Sequence, residues 1–235
     1  MNNYVKFGAE PVLPYAIEEA INRLRINISF LGSEVKKIMI VSSEPNEGKS
    51  FVAMNLWKQM ALSGEKSILV DMDMRKSTMK SVYALSREDG RELRGTSHFL
   101  AGNNEILDVV MHTDIPGGDL LPNVDNIVNP SMLLESRKLD FMMKFMEINY
   151  RYVFLDVPPL GLVSDAELLG NKCDGAILCV RSGVTPRSVV RNSLRQLQRA
   201  GCPALGIVLN RVEGTQGGYY HKYYGNHYYY GSKDR

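Results

Sequence analysis

The sequence predicts an α/β fold, a mostly parallel sheet with helices on both faces, and three observations carry that expectation. Short continuous apolar runs recur along the chain, each the length of a buried strand. Segments of helical period separate several of them. Most runs end in serine, aspartate or proline, as strands do where a turn hands the chain on. Strands alternating with helices build βαβ units, which need a sheet covered on both sides.

From the N-terminus, Glu18 to Phe30 places Ala20, Ile21, Leu24 and Ile28, with Ile17 before them, at helical spacing opposite a charged face. Lys37 to Ser43 (KIMIVSS) reads as a buried strand. Lys49 to Leu62 has the length and period of a helix, closed by Ser63 and Gly64. Ser67 to Asp71 (SILVD) is the next strand. The stretch from Met74 to Asn149 is mixed: helices are expected at Asn104 to Met111 and Ser131 to Ile148, with one short strand within Gly117 to Val124. Tyr152 to Asp156, Gly175 to Val180 and Ala204 to Leu209 are three further strands, the last two separated by a helix over Pro186 to Arg199. Residues 1–16 are read as an N-terminal extension, 17–213 as one domain, and 214–235 as a low-complexity tail with no aliphatic residue.

An apolar share of 44% with 23% charged predicts a packed core and excludes wholesale disorder. The net charge of +2 without a basic block gives no reason to expect nucleic acid or a polybasic membrane anchor. Cys173, Cys179 and Cys202 stand singly among apolar neighbours, without metal-ligand spacing, and read as buried small hydrophobes. No signal-peptide pattern opens the chain and no run reaches the roughly 20 apolar residues of a membrane span, so a cytoplasmic protein is expected.

The chemistry concentrates at strand ends. The loop after the first strand reaches Gly48, Lys49 and Ser50, a phosphate cradle in which backbone N–H groups and a helix N-terminus face the anion. The loop residues expected at the nucleotide are Ser43, Pro45, Asn46, Glu47, Gly48, Lys49, Ser50 and Phe51. Lys49 would neutralise the β and γ oxygens of ATP, and the Ser50 hydroxyl would take a place on Mg2+. Ser43 stands where the strict GxxxxGK[ST] pattern has glycine. SILVDMDMR then delivers Asp71 and Asp73, and YVFLDVPP delivers Asp156, at the carboxyl ends of their strands, where open parallel sheets bind ligands. Phosphoryl transfer needs positioning and charge neutralisation above all. Asp156 is expected to position Mg2+ through water, while Asp71 and Asp73 divide contact with the metal shell and activation of an acceptor hydroxyl.

Together IVSSEPNEGKS, ILVDMDMR and FLDVPP, with GTSHFLAG, NPSMLLES and GIVLNRVEG, resemble the bacterial tyrosine kinases of capsule and exopolysaccharide synthesis, from about Glu18 to the C-terminus. The resemblance implies a P-loop NTPase-like fold and an ATP-dependent protein-tyrosine kinase that phosphorylates its own tail in trans within a ring-like oligomer. It also implies a membrane polysaccharide co-polymerase as adaptor, which recruits the chain to the inner face of the membrane, and a cognate tyrosine phosphatase. On this likeness Lys49 and Ser50 match the Walker A residues, Asp71 and Asp73 the A′ pair, Asp156 the Walker B acid, and Asn210 with Arg211 the adenine contacts. Two departures stand out. Asn46 replaces a loop glycine, and asparagine tolerates left-handed backbone. In the ExxRxxR motif of ring assembly Glu19 and Arg25 match but Asn22 replaces the middle arginine, with Arg23 turned about 100° away around the helix.

Tyr219, Tyr220, Tyr223, Tyr224, Tyr228, Tyr229 and Tyr230 crowd into the tail and read as phosphoacceptors, each gaining roughly −1.5 to −2 charges on modification. Stacking on single-stranded nucleic acid and plain low complexity are the alternatives. Arg187, Arg191, Arg195 and Arg199 form a basic stripe, read as a solvated face or a protein contact. The rival for the whole chain is a non-kinase ATPase switch of the partition or cell-division type. Glu44, where those proteins carry a signature lysine, and the tyrosine cluster both argue against it.

Overall fold

The computed structural model describes residues 3–162 and 164–212. The seven tail tyrosines lie outside the described residues. Along the chain run β1 (Val5–Phe7), α1 (Tyr15–Ser29), β2 (Lys37–Ser42), α2 (Lys49–Leu62), β3 (Ser67–Asp71), α3 (Met79–Val82) and β4 (Leu85–Arg87). Then come α4 (Thr96–Leu100), α5 (Ile106–Val109), β5 (Met111–His112), β6 (Gly118–Leu121), α6 (Ser131–Leu134) and α7 (Arg137–Asn149). The chain continues through β7 (Tyr152–Asp156), α8 (Asp165–Gly170), β8 (Gly175–Arg181), α9 (Arg187–Arg199) and β9 (Ala204–Asn210).

The main sheet has the order β5-β6-β3-β7-β2-β8-β9 and is parallel throughout except for β5. Its central strands are apolar on both sides because alternate residues serve two cores. Met39 and Val41 of β2 join α7, α8 and α9 on one face; Ile38 and Ile40 join α1 and α2 on the other. Trp57 and Met60 of α2 are buried in that second core, and the Trp57 indole donates to the Ser67 carbonyl at 3.3 Å. The three cysteines are free and buried, and burial raises the proton affinity of each thiol.

Two expected helices are corrected by the structure. Over Asn104 to Met111 only one turn forms, because Met111 pairs with Leu120 and the neighbouring His112 bridges to the N-terminal segment, its N–H donating to the Asn3 carbonyl at 2.7 Å. The long helix over Ser131 to Ile148 is split in two by Ser136, whose hydroxyl accepts from the Leu139 N–H and starts α7 afresh. The N-terminal segment is stitched onto the domain: β1 pairs antiparallel with β4, and Val5 is buried. Helix α1 begins at Tyr15, three residues before the expected start, and buries only Ile21 and Ile28. On its surface Asn22 accepts from both Nε and Nη2 of Arg25, at 3.1 and 3.0 Å.

Candidate active site

Strand order places the site. β7 lies between β3 and β2, and Asp71 and Asp156 are direct register partners at the carboxyl ends of β3 and β7. β2 ends beside them and opens into the loop that leads to α2. That loop turns through two left-handed residues, Asn46 at φ 64° and Gly48 at φ 90°. Asparagine thus occupies the backbone region in which it is tolerated. Gly48 has a second constraint: a Cβ there would sit 2.1 Å from the Asn210 amide nitrogen.

Lys49, the first residue of α2, folds back over the strand ends. Its ammonium lies 3.0 Å from Asp73 Oδ2, 3.2 Å from Asp156 Oδ1 and 3.3 Å from the Ser50 hydroxyl. Burial alone would weaken its hold on a proton, but the carboxylates of Asp156 and Asp73 outweigh that and raise its pKa. Asp71 makes no ion pair with Lys49. Its carboxylate instead accepts from the Asp73 N–H at 3.1 Å and from the Ser77 hydroxyl. Complete burial, with Asp156 next in weight, pushes the Asp71 carboxyl up to about 8. Asp156 is also raised by burial, and Lys49 offsets part of the effect.

Three carboxyl groups, a hydroxyl and an ammonium therefore converge at one set of strand ends. Oxygen donors of this kind suit Mg2+, which keeps water and substrate phosphate among its ligands and asks little more than one or two carboxylates of the protein. Among the described residues no group of three His, Cys, Asp or Glu side chains is arranged to hold a metal ion by itself.

The remaining predicted positions sort by where their side chains go. Glu47 is buried and faces away from the cradle: its carboxylate accepts from the Glu44 N–H at 2.8 Å, the Arg181 N–H at 3.2 Å and the Thr185 hydroxyl. Ser43 is buried and bonded to the Ser193 hydroxyl at 2.9 Å, so its side chain ties the loop to α9. Pro45 is exposed; Phe51, in the first turn of α2, is partly buried against the second core. Asn210 donates to the Glu47 carbonyl at 2.8 Å, and Arg211 follows it, exposed, at φ 53°.

Sequence reasoning missed the struts. Arg75 grips the buried Asp165 through two bonds of 2.6 and 2.9 Å and donates to the Val128 carbonyl, fixing the turn after Asp73 against α8. The Thr96 hydroxyl donates to the Asp71 carbonyl at 2.8 Å, and Gly95 allows this because a Cβ would lie 1.7 Å from the Pro122 oxygen. The arginine was visible at the end of ILVDMDMR; its partner, far along the chain, was not.

The family described as "AAA domain" matches residues 35–180. The chain is 33% identical over 218 residues to tyrosine-protein kinase CpsD of Streptococcus agalactiae, covering 93% of this chain and 91% of that one. Among solved structures, the kinase domain of Escherichia coli tyrosine kinase ETK superposes with a TM-score of 0.78 at 26% identity, covering 90% of this chain and 85% of the other. The chimerical protein CapA2B2 gives 0.76 at 31%, covering 83% and 85%.

Proposed function

The chain belongs to the bacterial tyrosine-kinase family, a nucleotide-binding protein-tyrosine kinase of P-loop fold, and from that premise we propose which residues do the work and on what. The observation that carries the reading is Lys49, held between the A′ acid Asp73 and the Walker B acid Asp156 at the mouth of the loop. A single ammonium already offsets part of the carboxylate charge where a triphosphate and a divalent cation would enter.

Mg2+ at this site would neutralise charge on the β and γ phosphates of ATP. The Ser50 hydroxyl, Asp73 and Asp156 are the residues placed to hold it, Asp156 through water. Lys49 leaves the two acids for the phosphate oxygens, and the left-handed turn at Asn46 and Gly48 presents loop N–H groups to the same anion. Asn210 and Arg211, beside the loop, take the adenine. Asp71, the acid that Lys49 leaves unpaired, accepts the proton of the incoming tyrosine hydroxyl. The tyrosine oxygen bonds to the γ-phosphorus, the bond from that phosphorus to the bridging oxygen breaks, and ADP leaves with the electron pair. Raised proton affinity suits Asp71 to this step, since a base works best with a pKa near the working pH.

The acceptors on this reading are the tail tyrosines 219, 220, 223, 224, 228, 229 and 230, modified in trans between copies of the chain. The chain serves capsule or exopolysaccharide synthesis and export, recruited by a membrane co-polymerase and reset by a tyrosine phosphatase. What supports that setting is the likeness to CpsD. Among the described residues no helix is long and apolar enough to cross a membrane, so on this proposal attachment comes through the adaptor. The similarity to tyrosine kinases over nearly the whole chain favours tyrosine over water as acceptor, and the ATPase-switch reading falls.

Intact-mass spectrometry before and after ATP with Mg2+ tests the assignment. Additions of about 80 Da each are expected on the parent chain. They are expected on none of three variants: Lys49→Met, Asp71→Asn, and the chain with all seven tail tyrosines changed to Phe. Mass gained by the seven-Phe chain would move the acceptors elsewhere, and hydrolysis of ATP without mass gain would return the switch.

A further inference from the structure

Helix α9 carries Arg187, Arg191, Arg195 and Arg199 at four-residue spacing and no acidic residue. All four side chains are exposed, and among the described residues none of them has an ion-pair or hydrogen-bond partner. Four-residue spacing keeps them along one side, a strip of about 18 Å at 1.5 Å per residue. Arg195 and Arg199 also line a cavity of about 380 Å³ together with Asn192, Gln196, Ser43 and Glu44. Its donors include two guanidinium groups and two amides. Its one acid, Glu44, belongs to the phosphate loop and leaves the α9 side wholly cationic.

Guanidinium forks match phosphate oxygens in pairs, which makes unpaired arginine the side chain of choice for a phosphoryl group. A ligand of that chemistry lies in the same chain. Residues 213–235 hold Glu213, Lys222, Lys233, Asp234 and Arg235, so the unmodified segment is net +1 and is not drawn to the stripe. Two phosphotyrosines bring it to about −2 to −3. The end of β9 is linked to the same region. Asn210 donates to the Glu47 carbonyl, and the Glu47 carboxylate accepts from the N–H of Glu44, which lines the cavity, so Glu47 links the end of β9 to the cavity wall. The six residues from Glu213 to Gly218 span at most about 20 Å when extended.

We propose that the arginine face of α9, centred on the cavity of Arg195 and Arg199, is a docking site for phosphotyrosine of this chain's own C-terminal segment, from the same or a neighbouring copy. The proposal rests on the reading of the tail tyrosines as acceptors. It adds a receiver for the product: modification changes the segment from a weakly cationic chain with no affinity for α9 into its ligand, held at the flank of the phosphate loop.

Synthetic peptides spanning residues 213–235, unmodified or phosphorylated at Tyr219 and Tyr220, test this by fluorescence anisotropy against the full chain, dephosphorylated and free of nucleotide. The phosphopeptide is expected to bind at least about tenfold more tightly than the unmodified peptide, with affinity falling as salt rises. Arg195→Gln with Arg199→Gln should remove most of that gain, and Arg187→Gln with Arg191→Gln a smaller part. The altered side chains are exposed, and circular dichroism checks that each variant is folded. No preference for the phosphopeptide, or a preference that both variants keep, overturns the proposal. Vesicles of phosphatidylglycerol and phosphatidylcholine form the second probe: binding to them that the Arg→Gln changes abolish, with no phosphopeptide binding, makes α9 a membrane face instead. Since the peptides are made chemically, the result is independent of whether the chain phosphorylates its own tail, which the mass measurement decides separately.

Discussion

Replacing Gly48 by alanine, alone and with Asn210→Ala, tests the geometry that holds the phosphate loop. Gly48 sits at φ 90°, in the left-handed region that costs a residue with a Cβ about 1–2 kcal/mol. The new methyl group would also collide with the Asn210 amide at 2.1 Å, forcing that side chain off the Glu47 carbonyl. Loss of that hydrogen bond adds about 0.5–1.5 kcal/mol. Gly48→Ala should therefore cost about 2–3 kcal/mol, and Asn210→Ala about 1 kcal/mol. In the double variant the bond is already gone and the collision with it, so the total should match Gly48→Ala alone, a non-additivity of about 1 kcal/mol. Urea unfolding of the nucleotide-free proteins reads all four corners of the cycle. Strictly additive costs would show that residues 48 and 210 do not meet. Restoration of the double variant to the stability of Asn210→Ala would show that the left-handed turn carries no strain.

The remaining predictions concern charge. Asp71→Asn should stabilise the nucleotide-free protein as pH rises: the folded carboxyl holds its proton up to about 8, the unfolded one releases it near pH 4, so the stability given by the neutral form is full below about pH 4 and lost on the way to 8. A tenfold change in proton affinity is about 1.4 kcal/mol, and a gain of at least that size over the parent at pH 8, shrinking toward pH 5, is expected in thermal melts. Lys49→Met leaves Asp73 and Asp156 buried without their cation and should cost about 3–5 kcal/mol near neutral pH, partly recovered on acidification because protonation removes the uncompensated charge; denaturant midpoints at two pH values measure it. Glu47→Gln swaps an acceptor for a donor opposite three donors, and should lose about 1.5–3 kcal/mol of stability and raise the KM for ATP more than it lowers kcat.

Much of the site was legible because it is built from contiguous pieces. Lys49 to Leu62, Ser67 to Asp71 and Tyr152 to Asp156 form their expected elements with the same ends, since a buried strand stopped by a charged turn is a local signal. Lys49, Asp73 and Asp156 converge in the structure because strand order brings those ends together. What the sequence hid depends on partners far along the chain. Val5 finds Arg87, Met111 finds Leu120 and Arg75 finds Asp165, and none of these pairings leaves a periodic trace. The same holds for Glu47: its place in the loop was legible, and the contacts with Arg181 and Thr185 that make its side chain a brace were not. Ser136 was the exception, a helix cap printed in the sequence and overridden by the apolar period around it.

Strand β9 has a mechanical consequence. It lies at the margin of the sheet, with β8 its one strand neighbour among the described residues, and its last residue is the one that props the phosphate loop. The tyrosine-rich segment continues from residue 213, so tether and prop are one stretch of chain three residues apart. Tension on the segment arrives at Asn210 before any other part of the fold. Peeling outward, it would open the Arg181 and Asn210 pair first, and Arg181 is also where Glu47 anchors. A pull transmitted through Val212 would therefore reach the nucleotide loop by way of the Asn210–Glu47 and Arg181–Glu47 hydrogen bonds.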